Sequence, residues 1–237
     1  VLATGPCLAP ACRSRKRDHM SSGFRDGVSA AVASGPHGES GFWFFKGDQA
    51  VKADATGEKR EYGPANITAT EAWPALDAFE RDIDAAVFSG SGFWFFKSGR
   101  CVKTDTSGNN VLVPSSAITA EGNWPALAGT GFESGVDAAV ESGDGGKSGF
   151  WFFKGNQAVK TDPSGNHREY GPVNITATEA WPALDAFERD IDAAVFSGSG
   201  FWFFKSGRCV KTDTSGNNVL VPSSAIIAEG NWPALDV

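Results

Sequence analysis

One methionine, three histidines and four cysteines among 237 residues leave this chain poor in the side chains that do most enzymatic and redox chemistry. The histidines are His19, His37 and His167, and no His pair at metal-ligand spacing and no nucleophile elbow accompanies them. Catalysis is therefore not expected. The same scarcity disfavours haem, because iron takes an axial His or Met and the only Met is Met20. Basic charge is also short: 21 Lys and Arg stand against 28 Asp and Glu, a formal net charge of −7. That balance excludes nucleic acid and polyanionic surfaces as expected partners, since phosphate binding depends on Lys and Arg. No apolar run approaches the roughly 20 residues that span a bilayer, so no transmembrane segment is expected.

The cysteines fall into two groups. Cys101 and Cys209 occupy equivalent places in repeated segments where the sister segments carry Ala50 and Ala158, so the site takes a small side chain and a buried free thiol is expected. Cys7 and Cys12 are close enough in sequence to pair locally, which would suit an oxidising compartment; the alternative of free thiols stays open. The basic run Arg13-Ser14-Arg15-Lys16-Arg17 has two readings, a multibasic processing site or a solvated linker. The chain starts at Val1 without an apolar signal core, which fits a processed form and a secreted or storage compartment.

What is abundant is repetition. Arg60 to Leu127 and Arg168 to Leu235 are the same sequence except for Ala65/Val173 and Thr119/Ile227. A block Gly-Phe-Trp-Phe-Phe-Lys starts at Gly41, Gly92, Gly149 and Gly200, so four modules are expected. Each runs through an Ala-Ala-Val segment, the aromatic block, Val-Lys-x-Asp, a polar Gly turn and Trp-Pro-Ala-Leu. Odd and even modules differ in detail, which predicts a strong pseudo-twofold within a weaker fourfold. Modules of this size are at the lower limit for an independent core and must pack on one another.

The composition, with 29 Gly, 18 Phe and 8 Trp, favours strands and tight turns. In the first module we expect strands over Ser29 to Ala33, Phe42 to Lys46, Gln49 to Ala53 and Lys59 to Tyr62, with a Gly47-Asp48 hairpin turn. The unbroken run Phe42-Trp43-Phe44-Phe45 must be buried on both faces. The paired alanines suit strands converging on a crowded axis, and a radial array of four-stranded blades satisfies both demands. One helical turn is expected around Pro74, after the Thr68-Ala69-Thr70-Glu71 capping pattern.

These residues resemble the hemopexin-repeat family. Asp137-Ala138-Ala139, Phe152-Phe153-Lys154-Gly155-Asn156 and Trp181-Pro182 carry most of its pattern, and the other modules repeat it over about residues 23 to 235. The resemblance implies an all-β, four-bladed β-propeller, with blades near 23–77, 78–128, 129–185 and 186–237 after an irregular segment 1–22. It also implies calcium or sodium in a central channel, held by main-chain oxygens of Ser29, Ala31, Asp84, Ala86, Asp137, Ala139, Asp192 and Ala194. Ser29 departs from the Asp of the pattern, and no cysteine near Leu235 offers the usual first-to-last-blade disulfide. In this the chain is similar to the free-standing seed albumins of legumes, which are linked with haem, polyamine or sugar binding.

Three functions remain in view: a carbohydrate-binding protein, a haem- or polyamine-binding storage albumin, and a structural interaction module, with a homodimer as a possible assembly. Glycan or another small molecule is the expected ligand. Asn109, Asn110, Asn217 and Asn218 in the polar turns are candidate contacts, although those turns also read as a loose calcium loop or as plain hairpin tips. The aromatic-block tryptophans belong to the core; Trp73, Trp124, Trp181 and Trp232, each before a Pro, are expected nearer the surface and are the aromatic candidates for ligand contact. Asn66-Ile67-Thr68 and Asn174-Ile175-Thr176 match the N-glycosylation pattern, which signifies something only in a secreted chain.

Overall fold

The computed structural model of the protein describes residues 23–237. Cys7, Cys12, the basic run, His19 and Met20 lie outside the described residues.

Sixteen strands form four separate antiparallel sheets. The first blade holds β1 (Ala30–Ala33), β2 (Phe42–Lys46), β3 (Gln49–Ala53) and β4 (Arg60–Asn66). The second holds β5 (Ala85–Phe88), β6 (Phe93–Lys97), β7 (Arg100–Thr104) and β8 (Val111–Ala117). The third holds β9 (Ala138–Glu141), β10 (Phe150–Lys154), β11 (Gln157–Thr161) and β12 (Arg168–Asn174). The fourth holds β13 (Ala193–Phe196), β14 (Phe201–Lys205), β15 (Arg208–Thr212) and β16 (Val219–Ala225). Within each blade the strands pair strictly in chain order. The innermost strands touch in the cycle β1, β5, β9, β13 and back to β1, so the blades close a ring. The architecture is the expected four-bladed propeller, and the only helical pieces among the described residues are 3-10 turns.

The aromatic blocks explain why the blades stack. In β2, Phe44 points into the wedge shared with the fourth blade, whereas Trp43 and Phe45 point into the wedge shared with the second. Both faces are buried, as the lack of alternation requires. Phe44 meets Phe204 edge-on at 5.5 Å, Phe45 meets Phe95 at 5.7 Å, Phe96 meets Phe152 at 5.6 Å and Phe153 meets Phe203 at 5.6 Å. Four inter-blade wedges, not one central core, therefore hold the apolar mass. Edge-to-face aromatic pairs add about 0.5–1.5 kcal/mol each beyond their burial.

Three expectations about elements are corrected. Ser29 precedes its strand, which begins at Ala30. The outermost strand runs through Gly63-Pro64 to Asn66 instead of stopping at Tyr62, because a sheet's free edge needs no N–H from proline. The helical turn begins at Pro125 and Pro233 in the even blades, but in the odd blades it falls later, at Asp77–Phe79 and Asp185–Phe187.

The ring closes with the same joint that links successive blades. Ala75 N–H donates to Gly108 O (3.3 Å), Ala126 to Gly165 (3.2 Å), Ala183 to Gly216 (3.3 Å), and at the closure Ala234 donates to Gly57 (3.2 Å). An Arg25–Asp236 ion pair joins the two ends of the described chain. Among the described residues Cys101 and Cys209 are buried free thiols, and burial pushes each up to about 12.

Candidate functional site

Two places gather the residues singled out from the sequence, the axis and the hairpin tips of the even blades.

At the axis, Ser34 N–H donates to Gly41 O (2.9 Å) across β1 and β2. Antiparallel pairing alternates, so Val32 and Ala30 bond to β2 while Ala31 turns its peptide group to the unpaired inner edge. Ser89 to Gly92, Ser142 to Gly149 and Ser197 to Gly200 set the same parity for Ala86, Ala139 and Ala194. The residue before each strand has a different task for its side chain. Asp84, Asp137 and Asp192 each accept the amide of the β-hairpin turn of their own blade, from Ser98, Gly155 and Ser206, all at 2.7 Å. Ser29 is too short to reach that turn and instead donates to Phe45 O (3.1 Å). Burial raises the Asp137 and Asp192 carboxyls, with nearby carboxylates, Asp84 on Asp137 and Asp137 on Asp192, adding to the rise. The conserved-in-repeat lysines stand beside them: Lys97 donates to Arg81 O and Lys205 to Arg189 O, each at 2.6 Å. Among the described residues no three His, Cys, Asp or Glu side chains form a group able to hold a metal.

The far end of the axis is different. Two 3-10 turns, Pro36–Gly38 and Asp144–Gly146, come from opposed blades and touch each other, so their contact crosses the axis and caps it. His37 sits in this cap at φ 56°, packed on Phe196 at 5.4 Å. Glu141 ends β9 three residues before the second of these turns, is buried, and is pushed up to about 8 by that burial. Its Oε1 and the Nδ1 of His37 have no hydrogen-bond partner among the described residues. Neither residue was singled out as functional from the sequence. Aligning the four inner strands would have exposed Glu141, which falls where the others carry Ala33, Phe88 and Phe196.

The hairpin tips Asp105–Asn110 and Asp213–Asn218 are built around one carboxylate. Asp105 Oδ1 accepts the amides of Ser107 (3.2 Å) and Asn109 (3.1 Å), and Oδ2 accepts Asn110 Nδ2 (2.7 Å). The fourth-blade copy repeats this with Asp213, Ser215, Asn217 and Asn218. The Asn110 and Asn218 amides, then Ser107 and Ser215, hold these exposed carboxyls down to about 2. Asn110 and Asn218 are braces of the turn, whereas the exposed Asn109 and Asn217 side chains make no hydrogen bond among the described residues.

The tryptophans before Pro are not where the sequence reading put them. Trp73, Trp124, Trp181 and Trp232 are each 2 % exposed, less than the 6–8 % of Trp43, Trp94, Trp151 and Trp202. Each reaches into the next wedge, as Trp73 does against Phe93 (4.8 Å) and Phe95 (4.9 Å), so these rings pack in the core instead of lying near the surface. They serve the tips indirectly. Trp73 lies under Gly108, and Trp181 under Gly216, forming the floor of each Asp-Asn turn. Asn66 and Asn174, the sequon residues, are exposed at the ends of β4 and β12.

Four four-stranded blades around an axis, closed by a repeated Trp-Pro joint, define a four-bladed propeller of the hemopexin-fold type. Solved structures share it. A seed albumin from Lathyrus sativus superposes with a TM-score of 0.74 at 24 % identity, over 88 % of this chain and 95 % of that one. A plant lectin from Cicer arietinum, described as having two metal binding sites, gives 0.73 at 22 % over 88 % and 96 %. A 2S albumin seed protein from Dolichos gives 0.72 at 25 % over 88 % and 97 %. No family model matches the chain, and no curated protein matches it.

Proposed function

We propose that the chain is a non-catalytic carbohydrate-binding protein of the lectin type, contacting glycans at the hairpin tips of the second and fourth blades. The observation that carries this reading is the duplication of one braced polar turn on opposed blades, with an ionised acceptor and an uncommitted amide side by side. A sugar hydroxyl donates to Asp105 or Asp213 and accepts from Asn109 or Asn217. Two shallow sites on one rigid body multiply affinity for branched glycans without new contacts. The Cicer arietinum lectin supports the reading through its fold. Red-cell agglutination and a glycan array, with and without calcium, test it. Agglutination that Asn109→Ala/Asn217→Ala abolishes is expected; a blank array, or a double variant that agglutinates like the parent, overturns it.

The axis is read as a cation site for calcium or sodium, held by main-chain oxygens of Ser29, Ala31, Asp84, Ala86, Asp137, Ala139, Asp192 and Ala194. Hard cations take oxygen ligands, and the inward parity of the alanine peptides supplies them. Melting with added calcium and with chelator tests the calcium form. A polyamine-binding albumin is the second reading, favoured by the crowded carboxylates at the channel entrance; calorimetry with spermine separates the two.

A further inference from the structure

The large hydrophobic side chains that are exposed among the described residues are four: Val111 (44 %), Leu112 (50 %), Val219 (45 %) and Leu220 (50 %). They open β8 and β16, the outermost strands of opposed blades, where one strand edge is unpaired among the described residues. The odd blades treat the same place differently. Arg60-Glu61-Tyr62 and Arg168-Glu169-Tyr170 stand there, and Glu61 and Glu169 pair with Lys52 and Lys160 at 2.7 Å. Charged edges of this kind are how sheets avoid joining one another. In the even blades Leu112 and Leu220 replace the glutamates. The corresponding lysines then turn away, Lys103 to Ser91 Oγ and Lys211 to Ser199 Oγ at 2.9 Å, each ammonium near the face of Trp94 or Trp202.

We propose that β8 and β16 are self-association edges, and that the occupant of each is the same edge of a second copy of this chain. The charge pattern selects that partner. Residues 111–113 and 219–221 carry no charged side chain, and Arg100 and Arg208 of the adjoining strands β7 and β15 are held farther along, at Ser115 and Ser223. Two copies laid antiparallel about Leu112 or Leu220 therefore oppose no like charges, whereas the chain as a whole carries −7 and repels itself elsewhere. Pro114 and Pro222 lack an N–H, so pairing is confined to the Val-Leu-Val segment that precedes each. Such a contact falls well short of the roughly 800 Å² per partner of a stable interface, so each junction is weak. With two edges on opposed blades the association is open-ended and forms rows.

Sedimentation velocity from about 10 μM to about 1 mM tests this. The parent is expected to populate dimers, trimers and longer rows as concentration rises. Leu112→Glu alone leaves one edge and stops at dimers; Leu112→Glu/Leu220→Glu stays monomeric. Both substitutions install the Lys–Glu pair that the odd blades already carry, so folding is retained, and near-UV circular dichroism of the tryptophans verifies it. A parent that remains monomeric throughout overturns the proposal, as does a single variant that grows past dimers or a double variant that associates like the parent.

Discussion

Glu141 occupies a position that its three counterparts give to Ala33, Phe88 and Phe196, and its carboxyl is buried with one oxygen unpartnered among the described residues. Burial disfavours the ionised form, hence the rise from an ordinary 4.5 to about 8. The sign of the linkage follows. Between pH 4.5 and 8 the unfolded chain releases this proton and the folded chain keeps it, so the unfolded state gains on the folded state as pH rises. Relative stability is full below the lower value, falls through the interval and levels off above the upper one. At about 1.4 kcal/mol per pH unit the accumulated loss is on the order of 5 kcal/mol. Glu141→Gln keeps the shape and removes the charge. Urea unfolding at pH 5 is expected to find the two proteins within about 1 kcal/mol, and at pH 9 the variant more stable by several. Parallel pH dependences would show that this carboxyl is hydrated or paired in solution.

At the scale of the element, the joint between blades is a tryptophan from one linker under the glycine of the next blade's turn. Gly108 has φ +74°, and a Cβ there would lie 2.7 Å from Trp73 Cε3, so glycine is required twice over. Gly108→Ala is expected to cost about 2–3 kcal/mol, of which roughly 1 is the left-handed backbone and the rest the displaced ring. Gly122 supplies the control, since it has φ +81° with nothing within 4 Å of its missing Cβ, and its alanine variant registers only the backbone share. Thermal or urea unfolding of the two variants checks the difference; equal losses would mean that the indole moves aside freely. This joint also marks where sequence reading stopped. The aromatic strand was legible because four consecutive large apolar residues cannot face water on either side. Trp73 was misplaced because a Trp before Pro beside a polar turn looks superficial locally, and only the neighbouring blade covers it, with Phe93 20 residues and Gly108 35 residues onward in the chain. The tips were half legible: the oxygen-rich turn was visible, but not that Asn110 would be consumed in bracing Asp105 while Asn109 stays free.

For the molecule as a whole, fourfold repetition was legible in the sequence, and closure of the ring followed from it. The cap was not, because it arises from loops of opposed blades that meet only once the ring exists. Symmetry of the joints carries a last consequence. The closure between the fourth and first blades repeats the bond and the Trp–Gly stacking of the other three, with Trp232 under Gly57 and Ala234 bonded to Gly57 O. The contact of Gly23 with Val237 brings those residues together. A propeller built so does not depend on which joint is left open. A circular permutant of the described residues, opened between the exposed Ala128 and Gly129 and joined from Val237 to Gly23 by a short Gly-Ser linker, is expected to fold to the same ring. Its melting temperature should lie within several degrees of the parent, because about 1 kcal/mol shifts a domain of this size by roughly 2–4 °C. A permutant that loses its near-UV tryptophan signal would show that the first-to-last joint differs from the others in kind, and that the chain must close there last.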